Sequence, residues 1–167
     1  MFALTPQGYR EIGLEHWWLA ESGKFDKLGA RMADRHYSRR TPGSPQFMPP
    51  GQTIVLIGRD FQSVFGWQRP HPDSGIKLMS GLDGWTCTIF RNESRSVRSS
   101  EMILSAEQAI KALGHNCGPD GLITYAWCSR IESPNPGYCF QMAGWSKTGW
   151  SADGKKRLLQ KAWTNGI

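Results

Sequence analysis

Four short apolar runs, rich in β-branched and aromatic residues, constrain the fold of this chain more than any other feature. Gly and Pro clusters separate them, and they occupy residues 53–57, 63–67, 85–90 and 122–128. Such runs predict strands, and the first two flank Gly58-Arg59-Asp60 as the arms of a β-hairpin do. The fourth run lacks polar alternation, which indicates a strand that is covered on both faces.

Helical periodicity marks three further segments. The clearest helix is predicted over residues 101–113, with Ser99 or Ser100 as its N-cap and Gly114 as its stop. Looser patterns predict two N-terminal helices over residues 6–20 and 24–40, and the tail from residue 155 is either helix or strand. The mixture of strands and helices predicts an α/β (α+β) fold in a single domain of residues 1–167.

Several classes of protein are disfavoured by composition. The sequence contains no apolar stretch of membrane-spanning length and no export signal at its N-terminus, so a cytoplasmic protein is expected. The four cysteines form no C-x-x-C pair, which predicts reduced thiols and no structural zinc site. No metal is expected, because the histidines are scattered in sequence: His16, His36, His71 and His115.

The net charge of +6 favours a polyanionic partner or an anionic ligand, although a merely basic protein fits equally well. Arg31, Arg35 and Arg39 recur at every fourth residue and would form one cationic stripe on a helix, which Arg40 and Arg91 would extend. Such a stripe is either a phosphate-facing surface or simply solvated charge.

Two segments carry a resemblance to a known family. The loop between the third strand and the clearest helix reads Arg95-Ser96-Val97-Arg98-Ser99-Ser100, and a later turn and helix contain Gly137-Tyr138 and Gly144-Trp145. With the order of elements, these segments resemble the GNAT acyltransferase superfamily over most of residues 24–150. The resemblance implies a mostly antiparallel central sheet with flanking helices, splayed where acetyl-CoA or another acyl-CoA binds.

The same resemblance implies where the cofactor binds. A helix N-terminus is a natural site for its pyrophosphate, and the implied cofactor-binding residues are Arg95, Val97, Arg98, Ser99, Ser100 and Asn135. Arg98 and Ser100 replace the glycines of the family pattern, so the charges of Arg95 and Arg98 would compensate. The alternative is an ordinary exposed basic loop.

A closer resemblance is to the bacteriophage Mom-type DNA modification proteins. It rests on His36-Tyr37-Ser38-Arg39-Arg40, on Ser99-Ser100-Glu101, and on Ile123-Thr124-Tyr125-Ala126 followed by Gly137-Tyr138, Gly144-Trp145 and Thr148-Gly149. This resemblance implies transfer of an acyl group to an amine on a base or modified base of phage DNA. The residues predicted to face nucleic acid are Arg31, Arg35, Ser38, Arg39, Arg40 and Trp145, with Trp150 as a further stacking candidate.

Catalytic roles follow from the same comparison and from side-chain chemistry. By resemblance, Tyr138 is the acid that protonates the departing thiolate, and Tyr125 is the second choice. His36 is suited to proton exchange and Tyr37 to orienting a base, although His36 fits a helix cap as well. Cys139 is discounted as a nucleophile, because no histidine lies within its motif to activate it.

Two other functions remain open. The first is an acyltransferase of the same fold that acts on a small-molecule or protein amine and binds duplex DNA weakly. The second is a non-catalytic basic module that binds nucleic acid in a salt-sensitive manner and has no affinity for coenzyme A.

Overall fold

A computed structural model of the protein describes residues 5–36, 41–71, 81–128, 135 and 137–163. Its strands are β1 Tyr9–Arg10, β2 Trp17–Ala20, β3 Gln52–Gly58, β4 Ser63–Arg69, β5 Trp85–Asn92, β6 Leu122–Trp127, β7 Ser146–Trp150 and β8 Lys156–Lys161. Its α-helices are α1 Lys27–Asp34, α2 Ser99–Ala112 and α3 Tyr138–Met142, and a short 3-10 helix spans Gly23–Phe25.

All eight of these strands belong to one sheet, in the order β1-β2-β3-β4-β5-β6-β8-β7. Among the pairs formed by described residues, β5 and β6 run parallel and the other neighbours run antiparallel. The prediction of a mixed α/β fold with a mostly antiparallel sheet is therefore confirmed. The predicted hairpin is confirmed too, since β3 pairs with β4 from Gln52↔Arg69 to Ile57↔Val64.

The prediction of a helix over residues 6–20 is wrong, because this segment contains β1 and β2. The backbone turns with positive φ at Gly13 (83°) and His16 (71°), which interrupts any helix there. From Trp17 the chain then pairs with the free edge of β3, through Trp17↔Gly58 and Leu19↔Leu56. Backbone pairing with a distant strand thus overrides a weak local pattern.

The other helices also differ in their ends. Helix α1 begins after Asp26, whose carboxylate accepts a bond of 2.8 Å from the Gly29 N–H, and it ends at Asp34, not at residue 40. Helix α2 has Arg98 at its N-cap, not Ser99 or Ser100, while Gly114 lies just past its end as predicted. The tail, for which the sequence left helix and strand open, forms strand β8.

The sheet buries an apolar core on each face. Successive residues of β3 point to opposite faces and so belong to different cores. Leu56 packs in the core that contains α2 residues, and Ile57 packs in the core that contains Met32 of α1. Two indoles anchor α2 to the sheet, since the Nε1–H groups of Trp17 and Trp67 donate to the carbonyls of Met102 and Ala106, each at 2.9 Å. None of the described helices combines the length and the apolarity that a bilayer crossing would require.

Candidate active site between β5 and β6

The two parallel strands separate soon after they meet. Their pairing covers three residue pairs, from Trp85↔Leu122 to Cys87↔Thr124. Both strands contribute residues to the lining of a cleft of about 340 Å³ at this point. The cleft is lined by residues 87–90 of β5, 124–126 of β6, Gly137 with the start of α3, and by His36 and Asn135.

A β-bulge coincides with the point of separation. In the β4–β5 register, Gly66 pairs with Ile89 and Trp67 pairs with Cys87, so Thr88 is an extra residue of β5. A bulge leaves its extra residue outside the ladder and bends the strand that carries it. The bulge therefore provides a local reason for β5 to diverge from β6 and brings strand backbone to the cleft.

His36 lies just past α1, where its N–H donates to the Ala33 carbonyl at 2.9 Å, and its side chain lines the cleft. Burial and the nearby Arg91 charge lower the pKa of His36 to about 4, against the opposing effect of a hydrogen bond to the Phe90 backbone. The imidazole is therefore neutral at physiological pH. A neutral ring has one nitrogen with a lone pair that can accept a proton.

An ionic network holds this end of α1 against β5. The Arg35 guanidinium donates to both Glu93 carboxylate oxygens, at 2.7 and 2.8 Å. Arg91 bonds to the same carboxylate and also donates to the Arg35 carbonyl at 2.8 Å. Hydrogen bonds from both guanidinium groups lower the pKa of Glu93 to about 2. The network holds Arg35, the residue before His36, and this limits the movement of the His36 backbone.

The start of α3 closes another side of the cleft. Gly137 has φ 85°, and an added Cβ would lie 2.9 Å from a Leu159 methyl, so this turn requires glycine. Tyr138 follows as the first residue of α3, lines the cleft and is 56% exposed. Tyr125 of β6 also lines the cleft. The structure thus brings His36, Tyr125 and Tyr138 to one cleft, while Tyr37 lies outside the described residues.

The predicted cofactor-binding residues divide between two places. Asn135 lines the cleft, and its side chain bonds Gln141 at 2.9 Å and Lys147 at 2.6 Å. The remainder, Arg95, Val97, Arg98, Ser99 and Ser100, lie where β5 runs into α2. There the Asn92 amide donates to the Val97 carbonyl at 3.0 Å and to the Ser99 hydroxyl at 3.3 Å, which orders the loop.

The residues predicted to face nucleic acid are dispersed. Arg31 is exposed on α1, and Arg35 is engaged by Glu93 just beyond the helix end. The predicted stripe therefore does not continue along the helix, and Ser38, Arg39 and Arg40 lie outside the described residues. Trp145 is 3% exposed and stacks on Trp67 with ring centroids 6.2 Å apart. Because the ring is buried in the core, Trp145 offers no surface on which a base can stack.

The thiols of the cleft are poorly suited to nucleophilic catalysis. Cys139 shares the cleft with His36, a proximity that the sequence motif did not indicate. Burial nevertheless raises the pKa of the Cys139 thiol, and it raises that of Cys87 as well. A thiol that stays protonated is a weak nucleophile. All four cysteines are free thiols.

Sequence reasoning missed two features of this region. One is the bulge at Thr88, which depends on the register of β5 against β4 and leaves no local signal. The other is a pair of cation–aromatic contacts beside the cleft, with Lys156 Nζ 4.8 Å from the Trp127 ring and Arg157 Cζ 4.6 Å from the Trp150 ring. The basic and the aromatic residue of each contact are separated in sequence, and the pairing of β6, β7 and β8 brings them together.

Comparisons with known proteins return no relative. No family model matches the chain, and neither the curated proteins nor the solved structures include a significant match to it.

Proposed function

We propose that the protein is an acyltransferase of the GNAT type that binds an acyl-CoA, most simply acetyl-CoA, in the cleft between β5 and β6. The observation that carries this proposal is the separation of two parallel strands at a β-bulge, with Tyr138 and His36 in the lining of the resulting cleft. Such a cleft offers strand backbone to an extended ligand and two proton-transfer groups to the reacting atoms.

The proposed reaction is a direct transfer. A neutral amine attacks the thioester carbonyl carbon, a C–N bond forms, and the C–S bond breaks with its electron pair leaving on sulfur. His36, which its low pKa keeps unprotonated at neutral pH, accepts the proton that the amine loses once the C–N bond has formed and made that proton acidic. Tyr138 donates a proton to the departing thiolate, which releases coenzyme A. No acyl-enzyme is required, in keeping with the raised pKa of Cys139.

The N-terminus of α2 is the proposed site for the pyrophosphate of the cofactor. This 14-residue helix follows β5 after the loop of residues 93–98, and among described residues no side chain caps it. Uncapped N–H groups and the positive end of the helix dipole favour an anion. Arg95 and Arg98 are exposed beside it and supply two positive charges. The phosphates would then bind beyond the end of β5, and the acyl group would bind beside residues 87–90 of that strand.

The proposed acceptor is an amine on a base of DNA, and the cation–aromatic pairs beside the cleft favour it. Ala126 lines the cleft and pairs with Arg157, which lies over Trp150, while the next residue, Trp127, pairs with Lys156. Alternating cations and aromatic faces are typical of surfaces that bind phosphates and unstacked bases. A base inside a duplex must be flipped out before its amine can reach such a cleft.

Two alternatives remain, and they differ in what binds. A transferase for a small-molecule or protein amine would bind acyl-CoA but modify no DNA. A non-catalytic basic module would bind DNA without any affinity for coenzyme A.

Calorimetric titration of the full chain with acetyl-CoA tests the proposal first. We expect saturable binding that weakens in the Arg95→Ala/Arg98→Ala variant, because two charges near the pyrophosphate are lost. Mass spectrometry of nucleosides from treated DNA then tests the acceptor, and Tyr138→Phe should lower turnover about 100-fold while cofactor affinity persists. Absence of acetyl-CoA binding would overturn the acyltransferase, and full activity of Tyr138→Phe would remove Tyr138 as the acid.

A further inference from the structure

The cleft contains a buried hydroxyl whose position has a chemical cost. Thr88 lines the cleft, yet its Oγ1 is buried and finds no hydrogen-bond partner in the described part of the protein. A buried hydroxyl without a partner loses its bonds to water and gains none in return. Such groups are uncommon in folded proteins, and each requires an explanation.

The neighbouring threonines provide a direct comparison. Thr124 also lines the cleft, but its hydroxyl donates to the Cys87 carbonyl at 3.1 Å. Thr86 lies two residues before Thr88 on β5, and its Oγ1 is likewise buried and unpartnered among described residues, yet it does not contribute to the cleft lining. Thr88 alone of these three combines an unpartnered hydroxyl with a place on the cleft wall.

The hydroxyl can reach the cleft by rotation of one bond. Thr88 is half-buried while its Oγ1 is fully buried, so the exposed part of the residue is not its hydroxyl. A turn of about 120° in χ1 moves a threonine between staggered rotamers and exchanges the positions around Cβ. Because Oγ1 has no hydrogen-bond partner within the described structure, rotation about χ1 breaks no hydrogen bond there.

We propose that Thr88 turns its hydroxyl into the cleft and donates a hydrogen bond to the carbonyl oxygen of the bound acyl group. The inference rests on the proposed function. An acyl thioester presents a carbonyl oxygen that needs a donor, and charge develops on that oxygen as the amine attacks. Thr88 lies at the bulge where β5 leaves β6, between Cys87 and Ile89, which both line the cleft. Its hydroxyl therefore adds a side-chain donor at the proposed reacting end of the ligand.

Paired titrations with acetyl-CoA and with coenzyme A itself test this inference, because coenzyme A lacks the thioester carbonyl. Thr88→Val replaces the hydroxyl by a methyl group of similar size. We expect it to weaken acetyl-CoA binding about fivefold, the usual worth of one hydrogen bond, and to leave coenzyme A binding unchanged. Thr88→Ser keeps the hydroxyl and should restore acetyl-CoA affinity.

Thr86→Val is the matched control. Like Thr88→Val, it removes a buried unpartnered hydroxyl, so both variants should melt at or above the wild-type temperature. Thr86→Val should leave both affinities unchanged.

Three results would overturn the inference. Unchanged acetyl-CoA affinity in Thr88→Val would mean that the hydroxyl is not used. Equal losses for acetyl-CoA and coenzyme A would place its contact elsewhere on the ligand or make its role structural. Failure of the wild-type chain to bind either ligand is a different outcome, since it overturns the proposed function and this inference together.

Discussion

At the scale of single residues, the site depends on groups whose surroundings change their chemistry. His36 is an ordinary histidine in sequence, but burial beside Arg91 moves its pKa from the usual 6.5 to about 4. Arg91 is in turn oriented by Glu93, which stays ionised because its own pKa is about 2. The charge state of the proposed base is therefore set by residues far from it in sequence.

This shift predicts the acid limb of the pH profile. Lowering the pH through about 4 protonates His36, so kcat/KM should remain flat from neutrality to about pH 5 and fall below it. Arg91→Gln removes a charge that disfavours the imidazolium and should move the limb toward higher pH. Steady-state rates across this range, with folding checked by circular dichroism, measure both. A wild-type limb near 6.5 would contradict the role of a buried His36.

The stability of the fold should respond to the same group. Between pH 6.5 and about 4 the unfolded chain binds a proton at His36 that the folded chain does not. The contribution of neutral His36 to the free energy of unfolding is therefore present above pH 6.5 and is lost as the pH falls toward 4. The acid limb and this loss of stability share one cause.

At the scale of elements, an ion pair between a buried carboxylate and a partly buried lysine joins three of them. Lys161 of β8 lies 2.7 Å from the Glu107 carboxylate of α2 and donates to the Ala143 carbonyl at 2.9 Å, just past α3. Glu107 is 3% exposed, and burial raises its pKa against the opposing effect of Lys161. The pair thus holds α2, α3 and β8 together on the same face of the sheet.

Loss of one partner should therefore cost far more than loss of an exposed pair. Lys161→Met leaves Glu107 buried without its cation, so urea unfolding should show a loss of about 3–5 kcal/mol. The double variant Lys161→Met/Glu107→Gln should recover part of that loss, since no buried charge remains.

The exposed pair Arg59–Glu11 serves as the comparison, and Glu11→Gln should cost about 0–1 kcal/mol. If Lys161→Met also lowered the free energy of unfolding by only about 0–1 kcal/mol, the Lys161–Glu107 pair would not hold the elements together.

At the scale of the whole molecule, cation–aromatic contacts lie near both edges of the sheet, but only one of these edges is beside the cleft. Arg59 lies over Trp18 of β2 with Cζ 4.2 Å from the ring, near one edge. Lys156 and Arg157 contact Trp127 and Trp150 near the other edge, beside the cleft. If DNA is the acceptor, only the second surface should bind it.

Salt dependence of DNA binding separates the two surfaces. Each phosphate contact adds about one to the slope of log K against log salt, so Lys156→Ala/Arg157→Ala should reduce that slope by about two. Arg59→Ala removes one cation at the far edge, where Arg59 contacts Trp18 and pairs with Glu11, and should leave the slope unchanged. Fluorescence anisotropy with a labelled duplex, measured from low to moderate salt, provides the slopes. A reduction of about one in Arg59→Ala, half that of the double variant, would indicate diffuse attraction by net charge.

The sequence by itself determined the strands β3 to β6, the body of α2 and its glycine stop, because continuous apolar runs and helical periodicity are local properties. The roles of Tyr138, assigned by family resemblance, and of His36, assigned from its side-chain chemistry, stay predictions. Tertiary structure alone decided that residues 9–20 form strands, that Thr88 is a bulge, that Trp145 is core and that His36 is neutral. The physical reason is the same in each case: register, burial and charge depend on partners that are distant along the chain and meet only when it folds.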